Sequence, residues 1–75
     1  MEEYQAAKIY KIEELGSADD IAELEGMLRK TEGINAGEVL VDQSIVKIVF
    51  DKTMTSSDKI KSQIISLGFE IASEL

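Results

Sequence analysis

The stretch YKIEELGSADDIAELEGMLRKTEGI, residues 10–34, changes its apolar period once, and that change decides the fold. At its start, Tyr10 and Ile12 fall on one face while Ile9 and Lys11 fall on the other, the period-two alternation of a strand. From Ile21 the period lengthens. Ile21, Leu24 and Leu28 recur at i, i+3 and i+7 with Met27 beside them, while Glu23, Glu25 and Arg29 lie elsewhere, which predicts an amphipathic helix of about three turns. Arg29 and Lys30 suit the negative end of its dipole, and Gly33 follows as a stop.

Downstream, GEVLV and SIVKIVF flank Asp42-Gln43-Ser44, a short polar connection, and predict a hairpin. In its second arm Val46, Ile48 and Phe50 point one way, with Ile45, Lys47 and Val49 opposite. Thr55 or Ser56 can cap a second helix carrying Ile60, Ile64 and Leu67 at i, i+4 and i+7. Gly68 ends it, and FEIAS supplies a last short strand. The order is strand, helix, strand, strand, helix, strand. Two right-handed crossovers and one hairpin are satisfied most simply by an α+β, ferredoxin-like βαββαβ sandwich: a four-stranded antiparallel sheet with both helices on one face. Tyr10, Ile12, Val39, Val41, Val46, Ile48 and Phe50 are expected to meet the helices. Residues 1–5 are expected to be loose, and residues 6–75 to form one domain.

Composition narrows the function classes. A chain of 75 residues with no cysteine and no histidine has neither disulfide nor structural zinc, and must hold itself together by packing alone. Fifteen acids against eight bases give a net charge of -7 and no basic cluster, which disfavours nucleic acid and anionic membrane surfaces. No segment approaches the roughly 20 apolar residues of a membrane span, and the acidic start is unlike a signal peptide. These features lead to the expectation of a soluble, cytoplasmic protein. Without histidine or cysteine, the usual general base and strongest nucleophile are missing, so no enzyme is expected. The phosphate-cradling loop of acylphosphatases, which share this architecture, has no counterpart here, since the lone arginine is Arg29 in the first helix.

YKIEELGSADDIAELEGMLRKTEGI, VKIVFD and SSDKIKSQIISLGFEI together resemble the heavy-metal-associated domain, the family of small copper chaperones and of the metal-binding domains of metal-pumping ATPases. The resemblance covers roughly residues 8–72 and rests on scaffold features: Gly33-Ile34 after the first helix, Phe50-Asp51 closing a strand, and Gly68-Phe69. It implies a loop of the form Gly-Met-x-Cys-x-x-Cys between the first strand and first helix, holding Cu(I) or another soft ion. The matching residues are Glu14, Leu15, Gly16, Ser17, Ala18, Asp19 and Asp20, so Ser17 and Asp20 stand at the two ligand positions. A hydroxyl that stays protonated and a hard carboxylate do not reproduce a soft dithiolate site. No cofactor and no confident metal ligand is therefore expected.

Ser17-x-x-Asp20 instead approximates a capping box, with Asp19 and Asp20 adding negative charge at the helix N-terminus. Calcium would require six to eight oxygens at a spacing absent here, and Met1, Met27 and Met54 share no copper motif. Gly26 inside the helix either permits a close approach or is tolerated, and Gly37 implies a bulge or a late strand start.

The functional expectation is a member of the metal-transport family, altered at its metal loop, that acts as a protein-interaction or regulatory module. Asp19, Asp20 and Glu23 would form its surface, suited to a basic partner or a related metal-transport domain. Two alternatives stay open: weak or altered metal binding as a carrier, and a small-molecule sensor of the ACT type. The oligomeric state is open, with a monomer as the starting expectation.

Overall fold

The computed structural model describes residues 4–75. Strand β1 (Gln5–Ile12) leads into helix α1 (Ala18–Lys30), then β2 (Ile34–Leu40), β3 (Ile45–Asp51), helix α2 (Ser57–Ser66) and β4 (Ile71–Glu74). The strands form one sheet in the order β2-β3-β1-β4, and every neighbouring pair is antiparallel. This is the expected ferredoxin-like sandwich. The expectation of a loose start lies, for residues 1–3, outside the described residues. Gln5 is already in register with Asp51, and the Lys52 N–H donates to the Tyr4 carbonyl at 2.6 Å.

The core follows the two periods. Tyr10, Ile12, Val46, Ile48 and Phe50 from the sheet, with Leu24, Leu28, Ile60 and Ile64 from the helices and Leu15 from the loop, form one buried cluster. Burying each large aliphatic or aromatic side chain stabilises by about 1.5–3 kcal/mol, the main favourable term in a domain without cross-links. Tyr10 is wholly buried, and its hydroxyl donates to the Ser57 carbonyl at 3.2 Å, joining β1 to the start of α2. Thr31 joins the helices: its hydroxyl lies 2.8 Å from the Met27 carbonyl and 3.3 Å from Gln63 Oε1.

Several expectations are corrected. Val41 lies in a 3-10 turn, Val41–Gln43, rather than in a strand facing the helices, because Ser44 takes a left-handed conformation (φ 56°) and closes the hairpin there. Leu67 is the α2 cap and is 36% exposed, so the buried stripe of α2 ends at Ile64. The β2 irregularity falls between Ile34 and Ala36, not at Gly37. Gly37 has another reason: an added Cβ would lie 2.7 Å from Leu28 Cδ1, so the absent side chain lets α1 settle on β2. Gly26 has open space where a Cβ would sit and is simply tolerated.

The ends of the sheet are tied by polar contacts. Glu74 on β4 is held by Lys61 at 2.9 Å and Lys8 at 3.5 Å. The hydrogen bond from Lys61 is the chief reason its carboxyl sits below the usual range. At the end of β3, Asp51 Oδ1 accepts from the Thr53 hydroxyl at 2.6 Å and the Thr53 N–H at 2.8 Å, and these bonds lower its pKa.

Two tests follow from this packing. Gly33 has φ +95°, and a Cβ there would lie 2.9 Å from Met54 Cβ and 3.0 Å from Thr55 Cγ2. Gly33→Ala is expected to destabilise by about 1–3 kcal/mol in urea unfolding, whereas Gly26→Ala should stabilise by up to about 1 kcal/mol. Burial first, then the Glu74 and Asp58 charges, push the Tyr10 phenol above its ordinary 10.0, against a smaller opposing effect of the Ser57 side chain. A raised folded-state pKa contributes stability below pH 10 that is lost as pH rises through the folded value. Tyr10→Phe should cost about 1 kcal/mol at neutral pH and flatten that alkaline decline, as read by urea midpoints across the range.

Candidate functional site

The loop between β1 and α1 carries the residues singled out in the sequence. β1 ends as the Ile12 N–H donates to the Ser44 carbonyl at 2.8 Å and the Glu13 N–H to the Glu70 carbonyl at 2.9 Å. Glu14 then takes φ 56°, a left-handed conformation that is unfavourable for a non-glycine residue and reverses the chain. The reversal turns Leu15 inward, where it is 5% exposed and closes this end of the core. Gly16 and Ser17 remain at the surface, and α1 starts immediately after them.

Ser17 is the N-cap. It has extended backbone angles, and its Oγ accepts from the Asp20 N–H at 3.1 Å. That is one half of a capping box. The other half is not made: among the described residues, the Asp20 carboxylate forms no bond back to the Ser17 N–H. Asp20 is one atom shorter in reach than the glutamate usual at this position. Asp20 instead lines a surface cleft.

That cleft, of about 350 Å³, is lined by Glu13, Glu14, Asp20, Leu67, Gly68, Phe69 and Glu70. It joins the end of β1, the first turn of α1 and the turn from α2 into β4. Gly68, at φ +100°, makes that last turn and brings Glu70 beside Glu13. None of the four carboxylates is in an ion pair among the described residues. They nonetheless do not converge as ligands: no group of three or more acidic side chains is placed to hold a metal ion among the described residues.

Of the residues expected to form an interaction surface, Asp20 lines this cleft. Glu23 lines an adjoining groove with Ala22, Gly26, Met27, Lys30 and Leu67, and Asp19 lines neither. Leu67 is common to both depressions. Glu14 was read as the start of the loop, whereas Glu13, Glu70 and Leu67 were not expected at the site. Glu70 could not be read from spacing, since 50 residues separate it from Asp20 in the chain; the Gly68 turn was the available signal.

The donor chemistry does not suit a soft metal. At the positions where the resemblance implies thiolates, one oxygen is committed to a backbone N–H and the other belongs to a hard carboxylate. Several solved structures share this fold. A CopZ metallochaperone superposes with a TM-score of 0.82 at 16% identity, covering 89% of this chain and all of that one. A copper-binding domain from HMA7, a P-type ATPase, gives 0.78 at 25% identity over 92% and 97% of the two chains. The N-terminal domain of a potential copper-translocating P-type ATPase from Bacillus subtilis, in its Cu(I)-loaded state, gives 0.81 at 20% identity over 95% and 91%. No protein-family model matches the chain, and no curated protein matches it by sequence. The protein has the fold of the heavy-metal-associated domains, as the resemblance in its sequence implied.

If the Ser17 hydroxyl serves as a cap, Ser17→Ala should destabilise by about 1 kcal/mol, while Ser17→Asp, which keeps an accepting oxygen, should recover most of the loss. Equilibrium unfolding in urea measures both. An unchanged midpoint in Ser17→Ala would count against the cap.

Proposed function

We propose that the protein is a heavy-metal-associated scaffold whose former metal loop is a docking surface for a basic protein partner, and that it is neither a soft-metal carrier nor an enzyme. The observation that carries this reading is the state of the two ligand positions. Ser17 caps α1, and Asp20 joins Glu13, Glu14 and Glu70 around a cleft of carboxylates without ion pairs. Four carboxylates on a chain of net charge -7 attract cationic side chains and raise the rate of encounter with a basic surface. Leu67 and Phe69 give the same cleft an apolar element that a purely ionic surface would lack.

The absence of histidine and cysteine removes the usual general base and strongest nucleophile, which supports a binding rather than a catalytic role. The fold's other members named above include a metallochaperone and domains of P-type ATPases, so a basic face on a related metal-transport domain is a natural partner class. A cytoplasmic setting fits a chain without cysteine, and no helix among the described residues is long and apolar enough to cross a membrane.

Two measurements test the proposal. In competition with a Cu(I) chelator, with Zn²⁺ titrated alongside, the purified protein is expected to take up no metal. Saturable one-to-one binding that Asp20→Ala abolishes would restore a carrier with oxygen ligands. In the second, a Lys- and Arg-rich peptide is titrated against the protein at low salt. Joint reversal by Asp20→Lys and Glu70→Lys should weaken binding about tenfold or more. Binding that is unchanged by the reversal, with fold confirmed by circular dichroism, would remove the cleft from the proposal.

A further inference from the structure

The two edges of the sheet are finished differently. β4 is short, and Lys8 and Lys61 both clamp its Glu74. β2 spans seven residues and has a strand, β3, on one side only. Residues 35–38 are exposed, and among the described residues no backbone hydrogen bond reaches β2 from its outer side beyond the turn bond from Ile34 to Thr31. In an antiparallel ladder the alternate residues of an edge strand turn their N–H and C=O groups outward, a ready template for another strand. The usual protections are proline, charged side chains and lysine above all, brevity, a bulge or a covering segment, and of the charges β2 carries only Glu38. INAGEVL has no proline or lysine, its register irregularity is confined to the start, and Glu38 sits opposite Lys47 within the sheet.

Beside this edge runs a groove of about 370 Å³, lined by Leu28 and Ile34 beneath and by Glu25 and Arg29 at the rim, with Asn35, Ala36 and Gly37 along the strand. Glu25 and Arg29 are exposed and only 3.8 Å apart on α1, one turn from each other. We infer that β2 pairs antiparallel with β2 of a second copy of this chain, making a continuous eight-stranded sheet about a two-fold axis near Gly37, the midpoint of the strand.

Symmetry favours a second copy over an unrelated strand. A two-fold axis at Gly37 also sets the two α1 helices side by side in opposite directions, because Leu28 packs on Gly37. Reversing the order of Glu25 and Arg29 then brings each carboxylate toward the other copy's guanidinium, so the rim is complementary to itself. The sheet order places β2 at the edge opposite β4, so the carboxylate cleft beside β4 in each copy is kept away from the junction. One strand pairing with a narrow helix contact is a small interface, which makes the association weak and the monomer dominant at low concentration. This inference is independent of the docking function.

Sedimentation equilibrium from about 1 μM to about 1 mM should show a monomer passing into a dimer. Arg29→Glu should weaken association about tenfold or more, since two reciprocal pairs become repulsive. The double swap Glu25→Arg with Arg29→Glu restores opposite charges across the axis and should restore the dimer. Hydrogen exchange in the wild type should show β2 amides gaining protection with concentration while β4 amides do not. A monomer throughout the range, an Arg29→Glu variant that dimerises normally, a double swap that stays monomeric, or protection at β4 instead would each overturn the pairing. Both positions are exposed surface sites on α1, and circular dichroism establishes that the variants fold.

Discussion

The burial of one row of side chains beneath two short helices is the constraint on which the rest of the structure depends. Tyr10 and Ile12 on β1, with Val46, Ile48 and Phe50 on β3, can leave water only if α1 and α2 cover them, and no disulfide or zinc is available to help. A domain of this size hides only about 60% of the surface its unfolded chain exposes, so little of that cover is dispensable. The close seat of Leu28 on Gly37, the Tyr10 hydroxyl at Ser57 and the Thr31 bridge to Gln63 are the contacts that fix where the helices lie. The N-caps at Ser17 and Ser56 then determine where each helix starts.

The same constraint shapes the loop. Leu15 must turn inward to close the core, and the left-handed Glu14 is the backbone cost of turning it. With Leu15 fixed and α1 starting at Ala18, Ser17 can serve only as the cap, and its hydroxyl is committed to the Asp20 N–H. The chain thus carries a fold that solved metal-binding domains share, with Ser17 committed to a cap and Asp20 lining a surface cleft. Sharing that architecture does not by itself assign an activity, because activity resides in the site that a fold carries.

Much of this was legible in the residues themselves. The change of period within residues 10–34, the polar break at Asp42-Gln43-Ser44 and the caps before each helix state the element order and both helix starts. The lack of any thiolate was legible as well, because the chain has no cysteine, and Ser17 and Asp20 stand where the resemblance implies cysteines. The misread positions share one physical cause. Val41 and Leu67 continue an apolar period by one residue beyond where the chain turns, and periodicity has no means of registering a turn made by a left-handed serine or by the end of a helix. Gly37 read as a bulge or a late strand start because its true reason, the arrival of Leu28, lies on another element.

The sequence by itself determined the element order, the apolar faces, the capping chemistry and the absence of thiolate ligands, because each is a matter of local spacing or side-chain type. Only the tertiary structure decided which carboxylates share a surface and which strand is left at an open edge. Glu70 comes to line the same cleft as Asp20 through the Gly68 turn and the antiparallel return of β4 beside β1, and β2 lies at the margin because β3 takes its place next to β1. Both are consequences of strand pairing between distant segments, which no local pattern encodes.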